Sequence, residues 1–175
     1  MKKPDTLKTS NLRELIKVKF FSNHIKYFKE NEKTLDIGCG WGFSLKINPD
    51  FYVCDADDQC INYLKDLGYK ALKVDISQGG LPYKNSFFDN AFTHDVCEHL
   101  EEQEMLNLFK EVRRILKPGG YFMNVVPNKK GYIDGLNPLV GHKRFIEIEQ
   151  VQEFAKATDF ELIKHWHTPL PKFFV

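Results

Sequence analysis

The sequence predicts a single α/β domain built on a doubly wound, mostly parallel sheet with helices on both faces. Two observations lead to this prediction. From residue 34 onward, short apolar runs alternate with segments of helical periodicity. The 175-residue chain is 42% hydrophobic, and no linker, repeat or low-complexity segment divides it. Such an alternation produces parallel strands joined by right-handed crossovers.

The predicted elements follow one another in a regular order. Apolar positions at helical spacing predict an N-terminal helix at 11–29, so that residues 1–30 form a helix and tail. The remaining predicted elements are strand 34–37, a short helix at 43–47, strand 51–54, helix 57–67, strand 70–74, strand 88–93, helix 101–116, strand 121–126, helix 147–158 and strand 160–166. Asp57 is expected to cap the helix that it begins, and Gly68 to end it. We therefore expect a six-stranded core over 34–166, within one domain that spans 1–175.

Composition excludes several classes of function. The formal net charge of +1 carries no bias toward polyanions, so we expect no nucleic-acid partner. No run approaches the roughly 18 apolar residues of a membrane helix, and no apolar leader is present at the N-terminus. We therefore expect a cytoplasmic protein without membrane association. The cysteines form no C-x-x-C pair and no zinc-ligand spacing, which predicts reduced thiols and no metal site: Cys39, Cys54, Cys60 and Cys97.

A glycine-rich turn directly follows the first predicted strand. Gly38, Gly40 and Gly42 have the spacing G-x-G-x-G, and glycines at such a turn let the backbone approach a ligand closely. The dinucleotide fingerprint G-x-G-x-x-G requires a third glycine where Phe43 stands. The spacing therefore favours a ligand without a pyrophosphate and argues against a nicotinamide-dependent oxidoreductase.

Two carboxylates end the second and third predicted strands. Asp55 lies 17 residues after Gly38, where a carboxylate can accept hydrogen bonds from a ribose diol. The alternative is a turn residue or a helix cap, although Asp57 already supplies the cap. Asp75 is either a contact to an adenine amino group or a solvated loop residue.

These motifs resemble a known family. The run Leu35–Gly42 is similar to the nucleotide-binding motif of class I S-adenosylmethionine-dependent methyltransferases. Four later segments resemble this family in the same order: 53–57, 81–89, 97–100 and 116–121. Among them, Cys97-Glu98-His99-Leu100 is similar to a Glu-His pair of the small-molecule branch, the type 11 group. A weaker likeness at 141–145 resembles a substrate-side loop, and the whole similarity spans 34–166.

The resemblance implies a Rossmann-like fold, the cofactor S-adenosylmethionine and methyl transfer to a small-molecule acceptor. It implies that residues of the Gly38–Gly42 turn hold the methionine part of the cofactor and that Asp36 holds its ammonium group. Asp55 would bind the ribose hydroxyls, Asp75 and Ile76 would frame the adenine, and residues 93–95 would line the methionine side. The implied cofactor-binding set is Asp36, Gly38, Cys39, Gly40, Trp41, Asp55, Ala56, Asp75, Ile76 and His94.

A hydroxyl or protonated-amine acceptor also requires a general base. His94, His99 and His142 are the candidates, because imidazole titrates near neutral pH. Each histidine has a structural alternative. His99 opens a helix and caps or packs there, His94 orders its loop, and His142 forms an exposed pair with Arg144.

The sequence departs from the family pattern at two places. Only 12 residues separate Gly42 from Asp55, about one helical turn fewer than in the family. After the sixth predicted strand, the remaining residues are too few for the family's seventh strand, so that strand is missing or a stub. The apolar tail at 168–175 then predicts a homodimer contact. The weak set of acid–base candidates and the missing strand also keep open a domain that binds S-adenosylmethionine without turnover and acts as a regulator or partner subunit.

Overall fold

A parallel sheet of five strands lies at the centre of the computed structural model, which describes Ser22, Ile25, Phe28 and residues 31–126 and 143–165. The strands are β1 (Thr34–Ile37), β2 (Tyr52–Asp55), β3 (Lys70–Lys73), β4 (Phe88–His94) and β5 (Leu116–Val125). Their order is β3-β2-β1-β4-β5, and each neighbouring pair is parallel. The predicted doubly wound α/β sheet is confirmed.

Helices cover both faces of the sheet. The α-helices are α1 (Asp58–Asp66), α2 (Glu102–Ile115) and α3 (Ile148–Ala157). The apolar residues of α2 and α3 form one core cluster with Leu35 and Ile37 of β1. Those of α1 form the other cluster with Val53 and Phe92. Successive strand residues thus point to opposite faces, as the pleat of a doubly covered sheet requires.

Helix ends follow the capping residues that the sequence contains. The Asp57 carboxylate accepts hydrogen bonds from the amides of Gln59 and Cys60 at 2.7 and 3.2 Å, which confirms Asp57 as the cap of α1. Glu101 caps α2 through a capping box with Glu104. The α2 helix therefore begins after Glu101, and His99 ends a separate 3-10 helix, Cys97–His99. The structural alternative in which His99 caps a helix does not hold for α2, because the capping box satisfies the amides of that terminus.

The sixth strand, predicted for 160–166, does not form over the described residues 160–165. Phe160 packs on Phe109 and Phe122 with ring centroids 6.3 and 5.8 Å apart, but the residues that follow turn outward. Ile163 is 71% exposed. An extended segment without a neighbouring strand has no ladder of hydrogen bonds to stabilise it. The described part of the chain therefore has five strands where the pattern predicted six.

The helix predicted after the glycine-rich turn is a single 3-10 turn, Phe43–Lys46. The strand predicted at 121–126 starts earlier, at Leu116, which pairs with Phe88. The next register pair joins Tyr121 to Asn90, so the intervening run Lys117–Gly120 bulges from the ladder.

Three described residues precede the continuous part of the chain. Ile25 is buried, and Phe28 stacks on Phe92 at 6.1 Å, so both lie on the core side as the helical pattern predicted. Three parts of the chain lie outside the described residues: the other residues of the predicted N-terminal helix, the predicted loop at 127–142 with His142, and the tail at 166–175. Among the described helices, each is too short or too polar to span a bilayer.

Candidate functional site

The candidate site lies at the carboxyl edge of the sheet, where the strand order reverses. The chain runs outward from β1 through β2 to β3, and then continues on the other side of β1 with β4 and β5. Loops that follow β1 and β4 therefore diverge and leave a crevice between them, which is where open α/β sheets bind ligands. The Gly38–Gly42 turn, Asp55, Asp75 and His94 all follow or end strands at this edge.

The three glycines of the turn have positive φ angles of 78°, 50° and 76°, a backbone conformation that favours glycine. A Cβ atom at Gly38 would lie 2.3 Å from Val96 Cγ2, and one at Gly42 would lie 2.7 Å from Leu64 Cδ2. A Cβ atom at Gly40 would meet nothing within 4 Å. Gly38 and Gly42 are therefore required by packing, whereas the backbone at Gly40 faces open space.

Hydrogen bonds to β2 hold the inner half of this turn. The amides of Gly38 and Cys39 both donate to the Cys54 carbonyl, at 2.8 and 3.1 Å. The Asp55 carboxylate accepts from the Gly40 amide at 2.7 Å through Oδ2 and from the Asp57 amide at 2.9 Å through Oδ1. A carboxylate offers about four acceptor positions, so each oxygen can accept a further hydrogen bond from a ligand. The same carboxylate thus shapes the turn and remains available to a diol.

Asp36 lies beneath the turn in a buried position. Its Oδ2 accepts a 2.5 Å hydrogen bond from the Ser44 hydroxyl. Burial raises the pKa of Asp36 to about 7, the Ser44 hydrogen bond opposes this shift, and the negative charge of Asp55 adds to it. Asp36 therefore titrates near neutrality, directly below the turn that the resemblance assigns to the methionine part of the cofactor. Ser44 did not stand out in the sequence, because only the 3-10 turn returns it to β1.

The other two residues of the turn differ in exposure. Cys39 is buried, and burial raises the pKa of its thiol well above the ordinary value, so the thiolate is disfavoured. Trp41 is 59% exposed and makes an edge-on contact with Tyr63 of α1, with ring centroids 5.7 Å apart.

The residues assigned to the adenine side follow β3. Asp75 is exposed, and its Oδ1 accepts from the Ser77 amide at 3.0 Å and from the Ser77 hydroxyl at 2.7 Å. Both hydrogen bonds lower the pKa of Asp75, so the carboxylate is ionised at neutral pH. Ile76 packs against the larger core cluster, and Ala56, exposed, follows β2. The structure thus lines these residues along one edge, with Asp75 and Ile76 one strand beyond Asp55.

The loop after Ile76 is fastened to α2. Arg114 donates to the carbonyls of Leu81 and Tyr83 at 2.7 and 2.8 Å. Glu111 accepts from the Leu81 amide at 2.7 Å and pairs with Arg114 at the same distance. This network was not predicted, because a charged pair three residues apart on a helix is ordinarily a solvated surface pair. It orders the chain between the adenine side and β4.

Two of the three candidate bases are described. His94 ends β4, is half-buried, and has its Nδ1 3.4 Å from Asp95 Oδ2. Asp95 has a φ of 55°, a left-handed conformation that non-glycine residues seldom adopt. His99 is half-buried at the end of its 3-10 helix, and its amide donates to the Val96 carbonyl at 3.0 Å. His142 lies outside the described residues, so its role stays a prediction.

Glu98, between these histidines, is fully buried. Burial and the nearby charge of Asp95 raise its pKa to about 8. Its carbonyl accepts from the Lys143 amide at 2.8 Å, and Lys143 also pairs with Glu101 at 2.9 Å. These contacts attach Lys143 to the chain that follows β4. The sequence placed Glu98 in a Glu-His pair that resembles the family, but it did not indicate that Glu98 is buried. A three-residue turn is too short to show the periodicity that marks a buried face.

The described residues fit S-adenosylmethionine. The turn has open space over Gly40, where a methionine can lie. The Asp55 carboxylate on the next strand has acceptor positions for a ribose. The Asp75 carboxylate, one strand further, can contact an adenine. The described residues contain no cluster of three or more His, Cys, Asp or Glu side chains that could hold a metal ion.

Comparison with known proteins supports the same assignment. Residues 35–124, just over half of the chain, match the family model described as a methyltransferase domain, type 11. A tRNA (carboxymethyluridine(34)-5-O)-methyltransferase of Arabidopsis thaliana is 36% identical over 95 residues, which cover 53% of this chain and 23% of that protein. A probable S-adenosylmethionine-dependent methyltransferase of Mycolicibacterium smegmatis is 27% identical over 139 residues, covering 73% and 51%.

Solved structures show the same fold. A SAM-dependent methyltransferase from Archaeoglobus fulgidus aligns with a TM-score of 0.70 at 19% identity, covering 85% of this chain and 69% of that one. This chain spans about half or less of the two curated relatives above. The matched family model covers the glycine-rich turn, Asp55, Asp75 and the candidate bases His94 and His99. The chain belongs to the class I S-adenosylmethionine-dependent methyltransferases, as a member of the type 11 methyltransferase-domain family.

Proposed function

We propose that this chain binds S-adenosylmethionine at the carboxyl edge of its sheet and transfers the methyl group to a small-molecule acceptor. The observation that carries the proposal is the hydrogen bond between Gly40 and Asp55. It joins the turn after β1 to the carboxylate at the end of β2, at the switch point of the sheet.

Each part of the site has a role that its chemistry supports. The backbone of the Gly38–Gly42 turn holds the methionine part, Asp55 accepts from the ribose hydroxyls, and ionised Asp36 offsets the ammonium charge. The bound cofactor supplies an electrophilic sulfonium methyl group whose leaving group is a neutral thioether. The protein therefore needs no acid for the leaving group, and its main contribution is to align the acceptor.

Where the acceptor carries a proton, His94 or His99 removes it. His94 ends the strand next to β1, with the Asp95 carboxylate beside its Nδ1. Glu98, with a pKa of about 8, is largely protonated at neutral pH and does not compete for the proton. His142 remains a third candidate.

The electrostatics of the described site support a small acceptor over a nucleic acid. Four acidic side chains end or follow β2, β3 and β4: Asp55, Asp57, Asp75 and Asp95. Nearby Lys73 is paired with Asp58 at 2.5 Å, and Lys143 and Arg144 both pair with Glu101. A polyanion would meet repulsion at the described acidic edge.

A tRNA acceptor is the second candidate. It is supported by the likeness to the Arabidopsis thaliana tRNA methyltransferase, whose name gives a modified uridine as its substrate. A domain that binds the cofactor without turnover is the third candidate. It is motivated by the weak set of acid–base candidates, because His94, His99 and His142 each have a structural alternative to a catalytic role.

Methyl transfer from S-adenosylmethionine tritiated in its methyl group distinguishes these candidates. The protein is incubated with a cell extract divided into a low-molecular-weight filtrate and purified total tRNA. Label that appears in the filtrate, and is lost with Asp55→Ala, supports the proposal. Label in tRNA alone would replace it with the second candidate. Cofactor binding without label in either fraction would replace it with the third.

We also propose that the apolar tail at 168–175 joins two copies of the chain. Sedimentation velocity of the full chain, and of a chain ending at residue 167, tests this. A dimer that dissociates on truncation supports the proposal, and a monomeric full chain contradicts it.

A further inference from the structure

The outer half of the glycine-rich turn is held by fewer interactions than the inner half. Gly38, Cys39 and Gly40 each donate an amide hydrogen bond to β2. Beyond Gly40, the Gly42 amide donates within the turn, to the Cys39 carbonyl at 2.9 Å. The helix that follows is the single turn Phe43–Lys46, with no side-chain cap at its start. A long helix in this position would fix the end of the turn, and this chain does not have one.

The neighbouring helix α1 contacts this outer half of the turn. The Trp41 indole meets the Tyr63 ring with centroids 5.7 Å apart and planes at 67°, a favourable edge-to-face geometry. At the next residue, the absent side chain of Gly42 allows Leu64 to pack against the turn. Two consecutive residues of the turn therefore lie on two consecutive residues of α1.

The α1 helix is itself well placed to hold the turn. It begins three residues after Asp55, its cap Asp57 donates an amide to that carboxylate, and its residues Ile61 and Leu64 are buried in the core. The position of α1 is thus linked to the position of the carboxylate assigned to the ribose. The contact between Trp41 and Tyr63 joins the methionine end of the site to the same helix.

The exposure of the two rings sets them apart from ordinary core aromatics. Trp41 is 59% exposed and Tyr63 is 41% exposed. Rings this exposed contribute little to the core through burial, and neither ring belongs to the two core clusters.

We propose that Trp41 and Tyr63 are positioning residues for the cofactor: their contact holds the outer half of the turn in the binding conformation, in place of the helix that this chain has shortened. This inference rests on the proposed function. A turn that is ordered before binding costs less conformational entropy when the cofactor binds.

Calorimetric titration of variants with S-adenosylmethionine tests the inference. Trp41→Ala and Tyr63→Ala are each expected to raise the Kd by about three- to tenfold, the range of an exposed aromatic contact. Tyr63→Phe should restore the affinity to within about twofold, because the contact uses the ring and not the hydroxyl. The double alanine variant should bind no more weakly than the weaker single variant, since both remove one contact.

Tyr121→Ala is the matched control, because Tyr121 is 47% exposed and lies on β5 opposite Asn90, away from the turn. Its Kd should equal that of the wild type. Amide hydrogen exchange at residues 40–43 provides a second readout: it should accelerate in Tyr63→Ala and not in Tyr121→Ala.

Unchanged affinity and exchange in both single alanine variants would overturn the inference while leaving the proposed function intact. Absence of S-adenosylmethionine binding by the wild type would instead overturn the proposed function. Additive losses in the double variant would also overturn the inference, because they would mean that the two rings act separately.

Discussion

The Asp55 carboxylate accepts a 2.7 Å hydrogen bond from the Gly40 amide, 15 residues earlier in the chain. This bond joins the end of β2 to the turn after β1 at the carboxyl edge of the sheet, where the candidate site lies. One side chain thus has two roles, since it shapes the turn and also offers acceptor positions to a ribose.

Replacement of Asp55 should therefore weaken cofactor binding strongly. We expect Asp55→Ala to raise the Kd for S-adenosylmethionine by about ten- to a hundredfold, because a charged acceptor is lost and the turn is released. Isothermal titration measures the change. Asp58→Asn, which removes the same charge three residues along the chain, is the control and should bind as the wild type does. Equal affinity in Asp55→Ala would contradict the assignment of this carboxylate.

The glycines of the turn should respond differently to a methyl group. Gly40→Ala places a Cβ in open space, so its stability cost is the φ strain of about 1–2 kcal/mol, while cofactor affinity should fall at least about tenfold. Gly38→Ala places a Cβ 2.3 Å from Val96 and should cost roughly 3 kcal/mol or more of folding free energy. Urea unfolding and titration of both variants test this contrast. Comparable stability losses in the two variants would contradict it.

Glu98 should make the stability of the protein depend on pH. Its pKa rises from 4.5 to about 8 in the folded chain. Between these values the folded state keeps a proton that the unfolded state releases, so stability falls as pH increases from about 4.5 to about 8. Asp36, with a pKa of about 7, acts in the same direction.

Thermal unfolding between about pH 5 and about pH 8.5 measures this dependence. Glu98→Gln should lose less stability over the range than the wild type does, because its side chain has no proton to release. Glu153→Gln, at an exposed position of α3, should follow the wild type. A Glu98→Gln profile as steep as that of the wild type would show that the burial of Glu98 has no electrostatic cost.

Asp36 should make cofactor affinity depend on pH as well. Only ionised Asp36 offsets the ammonium charge, so affinity should rise as pH increases through about 7. Ser44→Ala removes the hydrogen bond that favours the ionised form and should shift this rise to higher pH. Titrations from about pH 6 to about pH 8 measure the shift. Identical profiles for the two proteins would exclude Ser44 from this role.

Much of the fold was readable from the sequence, because its signals are local. The apolar run at 34–37, the cap Asp57 and the positions of Asp55 and Asp75 after their strands all appear as predicted. The sixth strand was predicted wrongly for residues 160–165. A strand forms only beside another strand, and the periodicity of a segment does not show whether such a neighbour exists.

The site was predictable as a set of positions but not as a set of interactions. The sequence located Asp36 but not its partner Ser44, and Asp55 but not its hydrogen bond to Gly40. It also left Glu98 as one member of a pair, although that residue is a buried acid with a raised pKa, like Asp36. In each case the missing information is a contact made through a turn, where helix and strand periods do not apply.

The most direct test of the central claim is calorimetric titration of the purified chain with S-adenosylmethionine and, separately, with S-adenosylhomocysteine and NAD. The account predicts micromolar binding of the first two, which share the ribose, the adenine and the amino-acid group. It predicts no binding of NAD, because the turn has Phe43 where a dinucleotide-binding turn has its third glycine. Failure of all three to bind, or binding of NAD alone, would contradict it.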